Sequence, residues 1–156
     1  MPFIYSYPRP AVTVDALVFS FQEDELYILL VKRKNEPFRN CWALPGGFAG
    51  MDETLETACR RELEEETGIM PRSMEQFMVF DAPGRDPRGR TISVVFHTFL
   101  DEMTTPKGGD DASEARWFPV SGLPQLAFDH HEIVGRFLSI FSSWTQRPPA
   151  VKRVPE

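Results

Sequence analysis

Glu62, Glu65 and Glu66 fall within one turn of the segment 54–67, inside a stretch of fifteen residues (52–66) that sets seven acids against only Arg60 and Arg61. Spacings of three and four on a helix bring Cβ atoms to roughly 5–6 Å, so the three carboxylates share a surface and repel one another. They also stand near the C-terminal end of the predicted helix, where the macrodipole disfavours anions. A face built only for solubility alternates Glu with Lys, so an unrelieved acidic turn calls for something positive among its carboxylates. Hard divalent cations take oxygen ligands, and Mg²⁺ combines a few carboxylates with water and substrate phosphates. The bland alternative is a solvated acidic face, which is what most charge runs are. Two neighbours weigh against it. Gly46 and Gly47, after Pro45, permit a tight turn where a carbonyl points inward and a ligand approaches. Arg61 is spaced to pair with Glu65 four residues on, or to reach Glu53, and so to hold a carboxylate in one rotamer.

The elements that must position this turn and helix follow from the hydrophobic periods. Residues 12–18 alternate as a strand, and residues 26–31 form a second strand beyond the polar turn 22–25, giving a hairpin. Residues 41–44 read as a short strand closed by Pro45, Gly46 and Gly47. Within 54–67, Leu55, Ala58, Cys59 and Leu63 make one apolar stripe, Gly68 stands at the C-cap and Pro71 prevents continuation. Residues 74–81 and 91–100 are strand-like and joined by the turn-rich loop 84–90. Residues 101–113 read as loop, 115–120 as a short strand, and 130–141 as a second amphipathic helix. Residues 1–10, with three prolines and alternating Phe3, Tyr5 and Tyr7, form an extended arm before a domain at 11–144 and a tail at 145–156. Strands and helices that do not strictly alternate predict an α+β fold, a mixed β-sheet between helices, over a doubly wound parallel one.

Composition bounds the function. At 156 residues the chain makes one domain with a core of its own, and 42% apolar with 26% charged residues excludes a disordered or disulfide-built protein. No apolar run approaches membrane-spanning length, and Asp15 interrupts the apolar stretch 11–21, which lacks the pattern of a secretory signal. The expected compartment is the cytoplasm. A net charge of −6 argues against duplex DNA as partner, since that affinity comes largely from Lys and Arg on phosphates. Cys41 and Cys59 have no metal-ligand spacing and read as small core thiols. The three histidines are too scattered for a zinc site, and His97 sits in an apolar strand pattern as a packed residue.

Gly47-x5-Glu53-x7-Arg61-Glu62-Leu63-x-Glu65-Glu66-x-Gly68-Ile69 resembles the Nudix box without departure. Outside the box, CWALPGGF at 41–48, GRDPRGR at 84–90, ARWF at 115–118 and LAFDH at 126–130 are similar to the ADP-ribose pyrophosphatase branch, which also contains Nudix-related regulators of NAD metabolism. The resemblance implies an α/β/α sandwich that hydrolyses a nucleoside diphosphate linked to another moiety, foremost ADP-ribose to AMP and ribose 5-phosphate. Carried over by position, Glu62, Glu65 and Glu66 hold one to three Mg²⁺ or Mn²⁺ with help from the Gly46 carbonyl. One of Glu65, Glu66 or a loop acid (Asp110, Asp111 or Glu114) takes the proton from water. The chemistry agrees, since a pyrophosphate concentrates charge that metals neutralise.

On the substrate side, Arg85, Arg88 and Arg90 form the one basic cluster of an acidic chain. They read as a phosphate or ribose clamp beside Asp86, or else as a solvated hairpin tip. Arg33 and Phe38, on the approach to the box, are placed to contact phosphate and to stack on adenine, with Trp42 and Trp117 as core or platform. The aromatics of the arm, together with the resemblance, predict a homodimer. Three functions stay open: an ADP-ribose diphosphatase, a Nudix enzyme for a nucleoside triphosphate or another sugar nucleotide, and a non-catalytic ADP-ribose-sensing domain of a regulator, whose DNA-binding domain is expected after about residue 150. Complete box acids favour an enzyme acting on a small nucleotide, with no nucleic acid or membrane as partner.

Overall fold

The computed structural model describes residues 2–109 and 112–145. Its frame is a mixed sheet. β1 (Ala11–Gln22) and β2 (Glu25–Arg33) form the expected hairpin, with β3 (Trp42–Ala43) beyond β2. On the other side of β1 runs β6 (Thr91–Leu100), parallel to it, and β5 (Glu75–Phe80) lies antiparallel outside β6. β4 (Gly46–Phe48) also pairs with β1, and β7 (Ala112–Pro119) pairs with β2.

The period of two sorts β1 onto both faces of this sheet. Val14, Ala16 and Val18 pack with Ala58, Cys59 and Leu63 of α1 (Leu55–Thr67), while Leu17 and Phe19 pack with Ile133, Val134 and Phe137 of α2 (His130–Thr145). A strand covered on both faces needs apolar residues at nearly every position, which is why 11–21 reads as a continuous apolar run. The result is an α/β/α sandwich with the mixed sheet between helices, as expected from the sequence. α1 is bounded by two caps: the Thr54 hydroxyl accepts from the Thr57 N–H at 3.2 Å, and Gly68, at φ 74°, donates its N–H to the Glu64 carbonyl at 2.8 Å.

Three expectations need correction. Gly46 and Gly47, read with Pro45 as a turn, begin a strand (Gly46–Phe48) against β1, because glycine lets the two chains approach: a Cβ on Gly46 would lie 2.1 Å from the Val14 carbonyl oxygen. β7 begins at Ala112 and not at residue 115, since its ladder with β2 continues past a register shift at Lys32 and Arg33. Cys59 is buried and its thiol pushed up by burial, but Cys41 is only half-buried, so the two are not a pair of core thiols.

His97 is packed, as expected, its ring tilted against Phe137 at 5.0 Å and edge-on to Phe77. Its Nδ1 has no hydrogen-bond partner among the described residues. Burial holds both His97 and His130 below the ordinary imidazole value of 6.5. An unfolded chain protonates these rings more readily than the folded one, so their contribution to stability is complete above 6.5 and is lost as pH falls through that value. The melting temperature should therefore drop between pH 7.5 and 5.5, and His97→Phe should flatten that drop. An unchanged slope in the variant would assign the acid sensitivity elsewhere.

Candidate active site

Of the residues singled out around the box, Gly46, Gly47, Arg61, Glu62 and Glu66 line one cavity of about 310 Å³, at the lower end of the roughly 300–1,000 Å³ usual for ligand pockets. One wall is the Gly46–Gly47 strand and the inner face of α1. The register of β4 against β1 makes Pro45 and Ala49 ladder partners, through Ala16 N–H to Pro45 O and Ala49 N–H to Val12 O. Gly46, between them, is turned off the ladder, and its N–H donates to Glu66 Oε2 at 3.3 Å. Gly47 is a cradle for Glu62: a Cβ there would lie 2.6 Å from the Glu62 carboxylate. Glu66 is buried on α1, while Glu65 stands on the outer edge, half exposed and outside the cavity lining.

Arg61 is the cation among these acids. It grips Glu53 with two nitrogens, at 3.0 and 2.6 Å, and reaches Glu62 at 3.0 Å, Glu65 at 3.2 Å and the Phe48 carbonyl at 3.3 Å. The Arg61 hydrogen bond, helped by the Gly50 N–H, holds the Glu53 carboxyl down to about 2. Among the described residues no three Asp, Glu, His or Cys side chains converge closely enough to form a ready metal centre. The donor set nevertheless fits a hard divalent cation. It is all oxygen, with Glu62 against Gly47 and Glu66 against the Gly46 N–H.

The rest of the lining is cationic and aromatic. Arg88 lies over the Phe48 ring at 4.7 Å and the Phe128 ring at 5.3 Å, and Arg33 lies over Phe128 at 4.9 Å. Arg33 is steadied by donating from Nε to the Pro37 carbonyl at 2.8 Å. Burial works against charge on Asp86, but hydrogen bonds from Arg88 at 3.0 and 2.7 Å outweigh it and leave its pKa below the ordinary value. Phe128 sits at φ 52°, a left-handed conformation costly for an aromatic residue, held between the Ala127 N–H on the Trp42 carbonyl and the Asp129 contacts below.

The arginine clamp divides on inspection. Arg88 faces the cavity as expected. Arg85 also lines it, but its guanidinium is buried in a two-pronged bond to Asp129 at 2.9 and 2.7 Å, tying the loop to the start of α2. Arg90 lies outside the cavity and donates to the Asp81 carbonyl. Phe38 is also outside the lining and buttresses Phe128 from behind, ring centres 4.8 Å apart. Glu114, in β7, pairs with Arg116 away from the cavity. Asp110 and Asp111 lie outside the described residues. The backbone leading to them crosses the end of α1, where Lys107 N–H donates to Thr67 O at 2.8 Å and a Cβ on Gly109 would lie 2.5 Å from the Glu65 carbonyl oxygen.

Sequence reasoning missed Phe48, Phe128, Asp15 and His130. Asp15 carried a signal, as a charge inside a strand with both faces covered. The Phe128 backbone and the His130 partners carried none, since each depends on segments remote in the chain.

An acidic helix pinned by arginine, a glycine strand beside it and a cation-aromatic cluster in the same cavity make a site suited to phosphoanhydride hydrolysis. The chain belongs to the Nudix hydrolase family: residues 9–138 match the NUDIX domain model. It is 47% identical over 133 residues to the ADP-ribose pyrophosphatase of Methanocaldococcus jannaschii, covering 85% of this chain and 75% of that one. The NUDIX domain of Shewanella oneidensis NrtR, solved with ADP ribose, is similar at TM-score 0.80 and 31% identity over 87% of this chain and 91% of its own. A bifunctional NMN adenylyltransferase/ADP ribose pyrophosphatase from Francisella tularensis, complexed with AMP and Mn ion, is similar at TM-score 0.74 and 36% identity over 87% of this chain and 43% of its own.

The different positions of the arginines have a measurable consequence. Removing Arg85 strands a buried Asp129 carboxylate, so Arg85→Ala should cost about 3 kcal/mol in urea unfolding. Arg90→Ala, at an exposed carbonyl contact, should stay within about 0.5 kcal/mol. Equal losses would remove the distinction.

Proposed function

We propose that this Nudix hydrolase cleaves the diphosphate of ADP-ribose, giving AMP and ribose 5-phosphate, with Mg²⁺ or Mn²⁺ held by Glu62, Glu65, Glu66 and the Gly46 carbonyl. The observation that carries the reading is one cavity lined both by the acidic oxygen donors Glu62 and Glu66 and by Arg33, Arg88, Phe48 and Phe128. An acidic wall alone repels a pyrophosphate, and a cationic wall alone binds it without activating water. The similarity to proteins named for ADP-ribose pyrophosphatase activity, and to a domain solved with ADP ribose, supports the substrate. The similar Francisella protein holding AMP and Mn ion supports a metal-assisted reading.

The metal, when bound, neutralises the diphosphate and lowers the pKa of water. The residues of this chain do the rest. Arg88 and Arg33 anchor the anion, and the Phe48 and Phe128 rings offer flat apolar faces to a base. Glu65 or a loop acid among Asp110 and Asp111 takes the proton as water oxygen bonds to phosphorus and the bridging P–O bond breaks. Arg61 holds Glu53, Glu62 and Glu65 in reach of one another before a cation arrives. The protein acts in the cytoplasm as a homodimer, for which the arm is the basis: Phe3, Ile4 and Tyr7 are 71%, 91% and 81% exposed.

Two measurements test this reading. The ratio of kcat/KM for ADP-ribose over ATP should exceed one and fall in Arg88→Ala; a ratio below one in the wild type overturns the substrate. Millimolar Mn²⁺ should raise the melting temperature by linkage, and Glu62→Gln/Glu66→Gln should abolish the rise and lower turnover by about 10²-fold or more. The same rise in wild type and variant would move the metal off these carboxylates.

A further inference from the structure

In the floor of the cavity lies a buried polar pair, Asp15 and His130, that neither the box nor the arginine-aromatic part of the lining uses. His130, the first residue of α2, is 4% exposed, and its Nδ1 accepts a hydrogen bond from the Leu44 N–H at 3.0 Å, across 86 residues of sequence. Accepting at Nδ1 places the ring proton on Nε2, which lies 3.5 Å from Asp15 Oδ1. Asp15, 6% exposed, accepts at its other oxygen from the Ser93 hydroxyl. A histidine serving only the core is satisfied by any neighbouring donor for one ring nitrogen and any acceptor for the other. This one is committed to the backbone two residues before Gly46.

That choice of backbone group matters. Pro45 has no N–H, so the Leu44 N–H is the last donor with which the approach to Gly46 can be pinned. The Pro45 carbonyl is held by Ala16 N–H at 2.8 Å, and Gly46 then turns off the ladder toward Glu66. Asp15 reaches the same segment from below: a Cβ on Gly46 would lie 2.7 Å from Asp15 Oδ1. Both members of the pair therefore bear on residues 44–46, one by a hydrogen bond and one by contact.

We propose that Asp15 and His130 are positioning residues that fix the peptide around Gly46 against Glu66, and thereby set the geometry in which the site takes a divalent cation. The inference rests on the metal reading proposed above for Gly46 and Glu66. Residues that orient metal ligands without touching the metal typically account for about 10–100-fold in affinity or activity. The arrangement also specifies its own rescue. Asn places an acceptor on Cγ, where the imidazole carries Nδ1, so His130→Asn keeps the bond to Leu44 and His130→Leu loses it.

The experiment measures Mn²⁺ affinity without substrate, by the electron paramagnetic resonance signal of free Mn²⁺, beside kcat, KM for ADP-ribose and the melting temperature. His130→Leu should bind Mn²⁺ about ten-fold more weakly and lose about ten-fold in kcat, with KM changed less than about three-fold. His130→Asn should stay within about three-fold of wild type on both counts. A folded His130→Leu with wild-type Mn²⁺ affinity overturns the proposal, as does a His130→Asn impaired as much as His130→Leu. Should His130→Leu not fold, the near-isosteric Asp15→Asn decides: weaker Mn²⁺ binding supports the role and unchanged binding overturns it. A wild type that binds no Mn²⁺ overturns the metal reading itself, whereas wild-type binding with unaltered variants overturns only the positioning role.

Discussion

The close approach of β4 to β1 at Gly46 is the constraint on which the site depends. The glycine passes within a distance that excludes any side chain, 2.1 Å from the Val14 carbonyl oxygen to the site of a Cβ. Because β1 is the strand shared by both layers, whatever is fixed to it is fixed to both helices. On one side Gly46 meets Glu66 of α1; on the other, the segment before it meets His130 at the start of α2. The cavity is thus bounded by two helices that never need to touch, each referred to the same strand. Replacing the glycine with any larger residue would separate β4 from β1 and move the Glu62 cradle at Gly47 with it.

A second consequence is the placement of polar groups in the core. Asp15, Ser93, Thr13 and His130 are buried at the cavity floor, where an unpaired group costs roughly 1–3 kcal/mol. The structure accepts this by chaining them, Ser93 to Asp15 and Leu44 to His130, and by setting the Arg85–Asp129 pair beside them. Three consecutive residues at the head of α2 divide the work. Phe128 presents its ring to Arg33 and Arg88, Asp129 fastens the basic loop through Arg85, and His130 fastens the glycine segment. The left-handed φ of 52° at Phe128 is what lets three adjacent side chains serve three different parts of the cavity.

This division marks the boundary of what could be read from the sequence. The hairpin, α1 with its stripe and C-cap, and α2 were legible because each expresses a local period or a local cap. The acidic turn was legible because its repulsion is written in spacings of three and four. The role of Gly46–Phe48 as a strand was not, since the ladder that defines it comes from a segment thirty residues earlier and depends on the absence of a Cβ. The arginines of residues 84–90 read as equivalent because charge is a property of composition. Their fates differ by which carboxylate lies nearby in space, Asp129 for Arg85 and Asp86 for Arg88. Asp15 came closest to being found, as an acid that no apolar strand with two covered faces would carry for stability alone.

The electrostatics of α1 show how the fold tolerates a helix made against its own interest. Its last turn carries Glu64, Glu65 and Glu66 and no basic residue, so three anions face the negative end of the macrodipole. Each is unfavourable by a few tenths of a kcal/mol, and the i,i+3 and i,i+4 repulsions add to that. What offsets them is spread along the helix. The Thr54 cap contributes about 1 kcal/mol, and Ala58, Cys59 and Leu63 are buried against β1 and β6. Arg61 supplies a positive charge in contact with Glu53, Glu62 and Glu65. None of these terms removes the repulsion at its source. The helix is stable because packing on its apolar side outweighs the repulsion left on its acidic side.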